Sequence, residues 1–494
     1  MTGPLTPPDT VLVVFGGNGD LARRKLLPAL YHLHREGLMP ERWRLLGVAR
    51  SRMDDAGFRD LALRAVREAA RCGPGDGEWE AFARRLTFVS TDFRPGRTDA
   101  LRVAVERLEA DVGGDPCRLF YLSTPPSTFG PIAQGLGDAG LVERSRVVFE
   151  KPFGSDVDSF ARLDAIVRGV LAEEQTYRID HYLGKETVQN ILAFRFANGA
   201  FEAMWNRAHI DHVQIDVPEG LDVADRAAFY EHTGAVRDML VTHLFQVLSV
   251  IAMEPPTRLE TEPLITEKFK VFDSMRDLSP GDVVLGQYAG YRDTDGVARN
   301  SLTDTFVAAR VHVDNWRWDG VPFFLRTGKA MAASRQRVTL AFRRPPAAMF
   351  RDVPRDGDLD RDRLSFELDG DGAVTFAFLA KEPGPSIELG GARMTFTYGE
   401  SFGSELVGPY ERLIHDALLG DRTLFTRADG IARAWEVIAP LLSASEAPRP
   451  YARGSWGPDA AADLIAPRHW YLPELTGRSM RETPFVNHVV KRRA

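Results

Sequence analysis

The stretch VLVVFGGNGDLARRKLLPALYHLHREGL, residues 11–38, decides how the first part of the chain folds. Its five leading apolar residues, Val11 to Phe15, suit a strand buried on both faces, as in a parallel sheet. A glycine turn follows and enters a helix in which Ala22, Leu26, Leu30 and Leu33 share one face. Within the turn, Gly17, Gly19 and Ala22 fit G-x-G-x-x-G/A: glycines allow the tight turn and close approach of a pyrophosphate, and the third small residue lets the helix pack. The pattern alone is weak, but strand, turn and helix occur in the required order, and Asp20 is a candidate helix cap.

The next apolar run, WRLLGVA, ends at Arg50, with Arg52 behind it. An NAD enzyme would place an acidic residue there for the ribose hydroxyls, whereas arginine favours the 2′-phosphate of NADP. LTFVSTD, RLFYLSTPP and RVVFEKPFG then alternate with helical stretches, which predicts a doubly wound α/β sheet. Ligands of such sheets sit at the carboxyl ends of the strands, where Lys151 stands between a glutamate and a proline.

With 494 residues the chain exceeds what one hydrophobic core usually supports, so two domains are expected, at residues 1–177 and 178–494. Composition, 44% hydrophobic and 27% charged, is that of an ordinary globular protein. The two cysteines, Cys72 and Cys117, exclude a disulfide scaffold and a paired zinc-ligand motif. No secretory leader or apolar run approaching a membrane span is evident, so a soluble, cytoplasmic protein is expected. The net charge of −7 argues against nucleic-acid or membrane partners, so an anionic ligand requires local basic clusters.

Beyond residue 178 the periodicity changes. HVQIDV puts Val213, Ile215 and Val217 on one face, and RLSFELDGDGAVTFAF reads as a hairpin around Asp-Gly-Asp-Gly. With DTFVAARVHV, RVTLAF and RMTFTY, these segments predict one broad, mainly antiparallel sheet with helices on one face, an α+β domain. In AVRDMLVTHLFQVLSVIAM, His243 falls on the apolar stripe of Val236, Met239, Leu240, Val247 and Ile251. A histidine there is either a satisfied core residue or a base that needs a buried carboxylate to fix its tautomer. RIDHYLGKE, residues 178–186, concentrates a carboxylate, an imidazole, a phenol and cations in a short stretch.

Together GGNGDLARRKLLPALY, EKPFG, YRIDHYLGKETVQNILAFRFAN, WNR, VLGQYAGY, WDGVPFFLRTGKA and PYARGSWGPDAAADL closely resemble the glucose-6-phosphate dehydrogenase family, in family order over nearly the whole chain. The resemblance implies oxidation of glucose 6-phosphate at C1 to 6-phosphogluconolactone by hydride transfer to NADP, the first step of the oxidative pentose phosphate pathway, with no metal. It further implies that His243 is the general base and Asp180 its carboxylate partner. His181, Tyr182 and Lys185 match a cradle for the sugar phosphate; Glu219, Asp238 and Lys329 match groups on the sugar. Lys151 matches a lysine near both sugar and nicotinamide. Gly16, Gly17, Asn18, Gly19, Asp20, Leu21 and Arg50 match the cofactor site, and homodimers or homotetramers built through the large sheet are implied.

Three departures stand out. Asn18 occupies a position usually held by serine or threonine, EGLDVADRAAFY keeps Glu219 and Arg226 but lacks the family's glycines, and ELDGDGAV replaces a Gln-Pro pair. Two alternatives remain open at this point: a sugar oxidoreductase of the glucose–fructose oxidoreductase type, in which the lysine after the glutamate is central, and a non-catalytic paralogue.

Overall fold

The computed structural model describes residues 6–71, 73–345, 349, 361–370, 372–403, 406–444 and 446–472. Cys72, Asp371 of the anticipated hairpin and residues 473–494 lie outside them. The first sheet contains β1 (Thr10–Phe15), β2 (Trp43–Ala49), β3 (Leu86–Ser90), β4 (Cys117–Leu122), β5 (Ser145–Phe149) and β6 (Thr176–Arg178) in the order β3-β2-β1-β4-β5-β6. All neighbours pair in parallel, as the unbroken apolar runs require, and every residue of β1 is buried. Strand order reverses between β1 and β4, so the crevice expected of a Rossmann-like sheet opens at their carboxyl ends.

The glycine turn sits at that crevice. Gly16 has φ +73°, and a Cβ there would lie 2.1 Å from the Ser123 carbonyl oxygen at the end of β4. The left-handed position of the turn is therefore Gly16, one residue ahead of the motif's first glycine, while Gly17 permits close approach to Gly47 of β2. Asp20 does not cap the helix: a π-helical segment, Ala22–Leu26, begins without a side-chain cap, and Asp20 instead lies near Arg23 and Arg24 on the surface.

The second sheet contains β7 (Ile210–Pro218), β8 (Val283–Tyr288), β9 (Phe306–His312), β10 (Pro322–Gly328), β11 (Arg337–Phe342), β12 (Arg363–Glu367), β13 (Val374–Lys381), β14 (Leu389–Phe396) and β15 (Arg449–Tyr451). Their order is β14-β13-β12-β11-β7-β10-β9-β8-β15. Most pairs are antiparallel, including the anticipated β12–β13 hairpin, but β7–β10 and β8–β15 are parallel, so the sheet is mixed. Its central strands are covered on both faces: Val307, Ala309 and Phe323 face the main core, whereas Phe306, Ala308 and Phe324 face a second cluster with Tyr288, Tyr451 and Trp470.

The helical stretch Ala227–Ala252 is long and apolar enough to cross a membrane, with mean hydropathy 1.4, which the sequence reading did not register. It is a core element, 89% buried in that window. It bends at Gly234, with φ 66° and ψ 173°, and continues as a π-helical segment, Val236–Leu244. Asp304 holds the bend: its carboxylate accepts from Val236 N–H at 2.8 Å and its carbonyl from Ala235 N–H at 2.8 Å. A Cβ on Gly234 would lie 2.5 Å from Asp304 Oδ1.

The two sheets are joined by later helices. Arg146 on β5 donates to the Leu418 and Ala417 carbonyls at the end of helix Pro409–Leu419, and Trp435 Nε1 donates to the Phe153 carbonyl at 2.9 Å. This joint brings the ends of β5 and β6 against the bent helix. Gly234→Ala is expected to cost about 2 kcal/mol, lowering the melting temperature by roughly 2–5 °C in a calorimetric scan, because only glycine tolerates that backbone region.

Candidate active site

Asp180 lies two residues beyond the end of β6, and His243 sits on the π-helical segment across the joint. Asp180 Oδ1 accepts from His243 Nδ1 at 2.7 Å and from the Tyr182 N–H at 2.8 Å. Lys151 Nζ lies 2.5 Å from His243 Nε2. An ammonium has no lone pair, so Nε2 is the acceptor and the proton sits on Nδ1. The imidazole is thus held as the tautomer a general base needs, with its lone pair facing Lys151.

Burial pushes His243 well below the usual imidazole range, and the Lys151 ammonium adds to that effect, so the ring is neutral. Burial also raises the Asp180 carboxyl, against the pull of His181 and Lys151. Asp238 receives the Lys151 ammonium at Oδ1 and at its carbonyl, 3.0 and 3.1 Å away. Burial opposes ionisation of Asp238, but the charge and hydrogen bond of Lys151 together with the charges of His243 and Lys329 outweigh it and hold the carboxyl at about 2.

His181, Tyr182 and Lys185 of RIDHYLGKE form a polar shelf beside His243 in which Lys185 is the cation, since burial holds the His181 imidazole well below its usual range. The His181 and His243 rings meet edge-on at 4.5 Å, the Tyr182 ring lies 4.7 Å from His243, and Lys185 Nζ stands 4.3 Å above the Tyr182 ring. Burial brings the Lys185 ammonium down to about 8. Such a shelf offers charge-assisted donors to a dianion. Lys329 Nζ pairs with Glu219 Oε2 at 2.6 Å. The Lys329 charge reaches His243 and the Glu219 and Asp238 charges reach Tyr182, so these groups belong to one electrostatic cluster.

At the dinucleotide end, Asn18 Nδ2 donates to Ser51 Oγ at 2.5 Å, linking the glycine turn to the segment carrying the exposed Arg50 and Arg52. Ser123 Oγ, at the end of β4 beside the turn, is buried without a hydrogen-bond partner. A free hydroxyl, an amide and two guanidinium groups beside a helix start suit a phosphorylated dinucleotide. The donor atoms of Asp180, His181 and His243 also lie within 4.8 Å of one another, a metal-like spacing. Both ring nitrogens of His243 are engaged, however, and the Lys151 and Lys185 ammonium groups face the cluster, surroundings that repel a cation.

Sequence reasoning missed three neighbours. Glu150, buried and held by Tyr121 at 2.6 Å, is pushed by burial to about 7. Lys268, buried, feels Asp180 as its favourable charge; a lysine on the apolar stripe of Leu264, Ile265, Val271 and Phe272 was the available signal. Gln336, which accepts from Lys185 Nζ at 2.5 Å, has no local sequence signal.

Family profiles match almost the whole chain: "Glucose-6-phosphate dehydrogenase, NAD binding domain" at residues 13–190 and "Glucose-6-phosphate dehydrogenase, C-terminal domain" at 192–471. The chain is 41% identical over 491 residues to glucose-6-phosphate 1-dehydrogenase of Mycolicibacterium smegmatis, covering 95% of this chain and 98% of that one. It is 38% identical to the protein of the same name from Rhizobium meliloti, covering 94% and 96%. Among solved structures, glucose-6-phosphate 1-dehydrogenase from Mycobacterium avium is similar with TM-score 0.84 and 36% identity, covering 95% of this chain and 99% of that one. A glucose-6-phosphate dehydrogenase in complex with its substrate glucose-6-phosphate is similar with TM-score 0.87 and 31% identity, covering 95% and 100%.

The electrostatics of the imidazole can be read directly. NMR of ¹³C-labelled histidine should show the His243 ring neutral across pH 6–8, since burial and Lys151 both lower it from 6.5. A midpoint at or above 6.5 would contradict this arrangement.

Proposed function

Because the chain belongs to the glucose-6-phosphate dehydrogenase family and oxidises glucose 6-phosphate to 6-phosphogluconolactone, entering the oxidative pentose phosphate pathway, we propose that His243 is its general base and NADP its preferred hydride acceptor. The observation that carries the assignment is the hydrogen bond from Nδ1–H of His243 to Asp180 Oδ1, which leaves Nε2 as the basic atom.

In this reading His181, Tyr182 and Lys185 bind the 6-phosphate, and Glu219, Asp238 and Lys329 orient the ring hydroxyls. The anchored C1 hydroxyl takes over Nε2 from Lys151, whose ammonium stays tethered by Asp238. His243 Nε2 takes the hydroxyl proton as the carbonyl forms at C1, and Asp180 stabilises the resulting imidazolium. The chemistry a bound nicotinamide supplies is acceptance of the hydride leaving C1. Residues 16–21 and Ser123 would hold its phosphates, Lys151 would serve its nicotinamide end, and Arg50 would read the 2′-phosphate.

The same reading divides the chain into a dinucleotide domain up to residue 177 and a substrate domain from 178. It also makes the enzyme a homo-oligomer. The edge of the large sheet supports this, with Ile387, Met394 and Phe402 exposed close to β14.

His243→Asn is expected to reduce kcat by at least about 10²-fold while leaving glucose 6-phosphate binding, measured by calorimetry, nearly intact. Retention of more than about a tenth of wild-type kcat would remove His243 from the role of base. On the cofactor side, kcat/KM should favour NADP over NAD, and Arg50→Ala should erase most of that preference by raising the NADP KM, because a bidentate contact to the 2′-phosphate is lost. An unchanged ratio of the two specificity constants would refute the role of Arg50.

A further inference from the structure

Three lysines face the proposed sugar-phosphate site, and they are not held alike. Lys151 is paired with the Asp238 carboxylate at 3.0 Å and Lys329 with Glu219 at 2.6 Å. Lys185 is held by neutral acceptors: Gln336 Oε1 at 2.5 Å and the Leu368 carbonyl at 3.3 Å. A carboxylate is nonetheless at hand. Asp369 stands next to Leu368, and its charge is the largest favourable one acting on Lys185. Its Oδ2 accepts the Gln336 backbone N–H at 3.1 Å. Gln336 thus touches both partners, gripping Asp369 with its main chain and Lys185 with its side chain.

We propose that Gln336 is a positioning residue that insulates Lys185 from Asp369, keeping the ammonium in place but unpaired so that its charge remains available to the substrate phosphate. The inference rests on Lys185 belonging to the phosphate cradle. A carboxamide oxygen orients an ammonium N–H without cancelling its charge, whereas a carboxylate would compete with the phosphate for it. The surrounding scaffold is built to keep this clip rigid. The Gln336 carbonyl accepts from Leu368 N–H at 2.7 Å, and the Leu368 carbonyl is shared with Thr187 Oγ1 at 3.1 Å. Removing the Gln336 side chain frees the ammonium to swing to Asp369.

The test compares wild type with Gln336→Ala, Asp369→Asn, the double variant and Lys185→Ala, each assayed with glucose 6-phosphate and with free glucose. Gln336→Ala should raise KM for glucose 6-phosphate about 10-fold with kcat within about twofold, the loss expected when one charge-assisted contact is given up. Kinetics with free glucose should not move. Asp369→Asn alone should have little effect, and in the double variant it should restore KM to within about threefold of wild type, because no carboxylate remains to capture Lys185.

The pH dependence gives a readout that a loosened fold would not. In the wild type KM should rise as Lys185 loses its proton near pH 8. Lys185 is faced by Asp369 from the β12–β13 loop, by Asp180 and His181 from its own segment, and by His243 from the bent helix. Pairing with Asp369 raises the lysine's affinity for its proton, so in Gln336→Ala the rise should move to higher pH. If Gln336→Ala does not fold, Gln336→Leu fills the same space without an acceptor and is read in the same way. An unchanged KM in Gln336→Ala, or a raised KM that Asp369→Asn does not relieve, overturns the insulating role. Should Lys185→Ala itself leave KM for glucose 6-phosphate unchanged, the cradle assignment fails instead.

Discussion

The hydrogen bond between Asp180 and His243 is the constraint around which the rest of the molecule is arranged. Its acceptor hangs from the last strand of the parallel sheet, and its donor sits on a helix packed against the mixed sheet, so it exists only where the two sheets are locked together. Both groups are almost completely buried, and Asp180 Oδ2 has no hydrogen-bond partner, an arrangement that costs about 1–3 kcal/mol. The fold offsets that cost through apolar burial in one continuous core reaching from Val11 to Leu441. The bend at Gly234 and the cross-joint bonds of Arg146 and Trp435 serve the same alignment, since an error of an ångström would break the tautomer lock.

Charge placement follows from this burial. A chain with net charge −7 must gather cations locally to hold an anionic ligand, and Lys151, Lys185 and Lys329, all largely withdrawn from solvent, act together on His243. Each cation needs a restraint there. Lys151 and Lys329 have carboxylate partners that also suit sugar hydroxyls, whereas Lys185, the one proposed to meet the phosphate, is restrained by neutral oxygens. The division corresponds to the ligand's own chemistry, hydroxyls on one side and a dianion on the other.

Much of this was legible along the chain because it depends on local patterns. Five apolar residues followed by a glycine turn and a helix with a single apolar face specify a buried parallel strand entering a phosphate-binding turn, whatever surrounds them. The alternation in HVQIDV specifies a strand, and the paired runs around Asp-Gly-Asp-Gly an antiparallel hairpin, by the same logic. His243 was legible as a polar residue on an apolar stripe, and the RIDHYLGKE cluster as an improbable concentration of ionisable groups. Local patterning also misled in two places. Asp20 has the right side chain for a cap but makes no cap hydrogen bond and lies near Arg23 and Arg24 instead, and the motif's first glycine is not the one with positive φ.

What the sequence determined by itself, then, was the set of elements, the residue types able to do the chemistry and, through the length and order of its motifs, the family. Tertiary structure alone decided the parallel pairing of β7 with β10, the lysine ammonium on His243 Nε2, the buried Glu150 and Lys268, and the approach of Gln336 to Lys185 across 151 residues of chain. The physical reason is that periodicity and turn chemistry act over a few residues, whereas a pKa, a tautomer or a neutral restraint on a charge depends on atoms brought together from segments far apart in the chain.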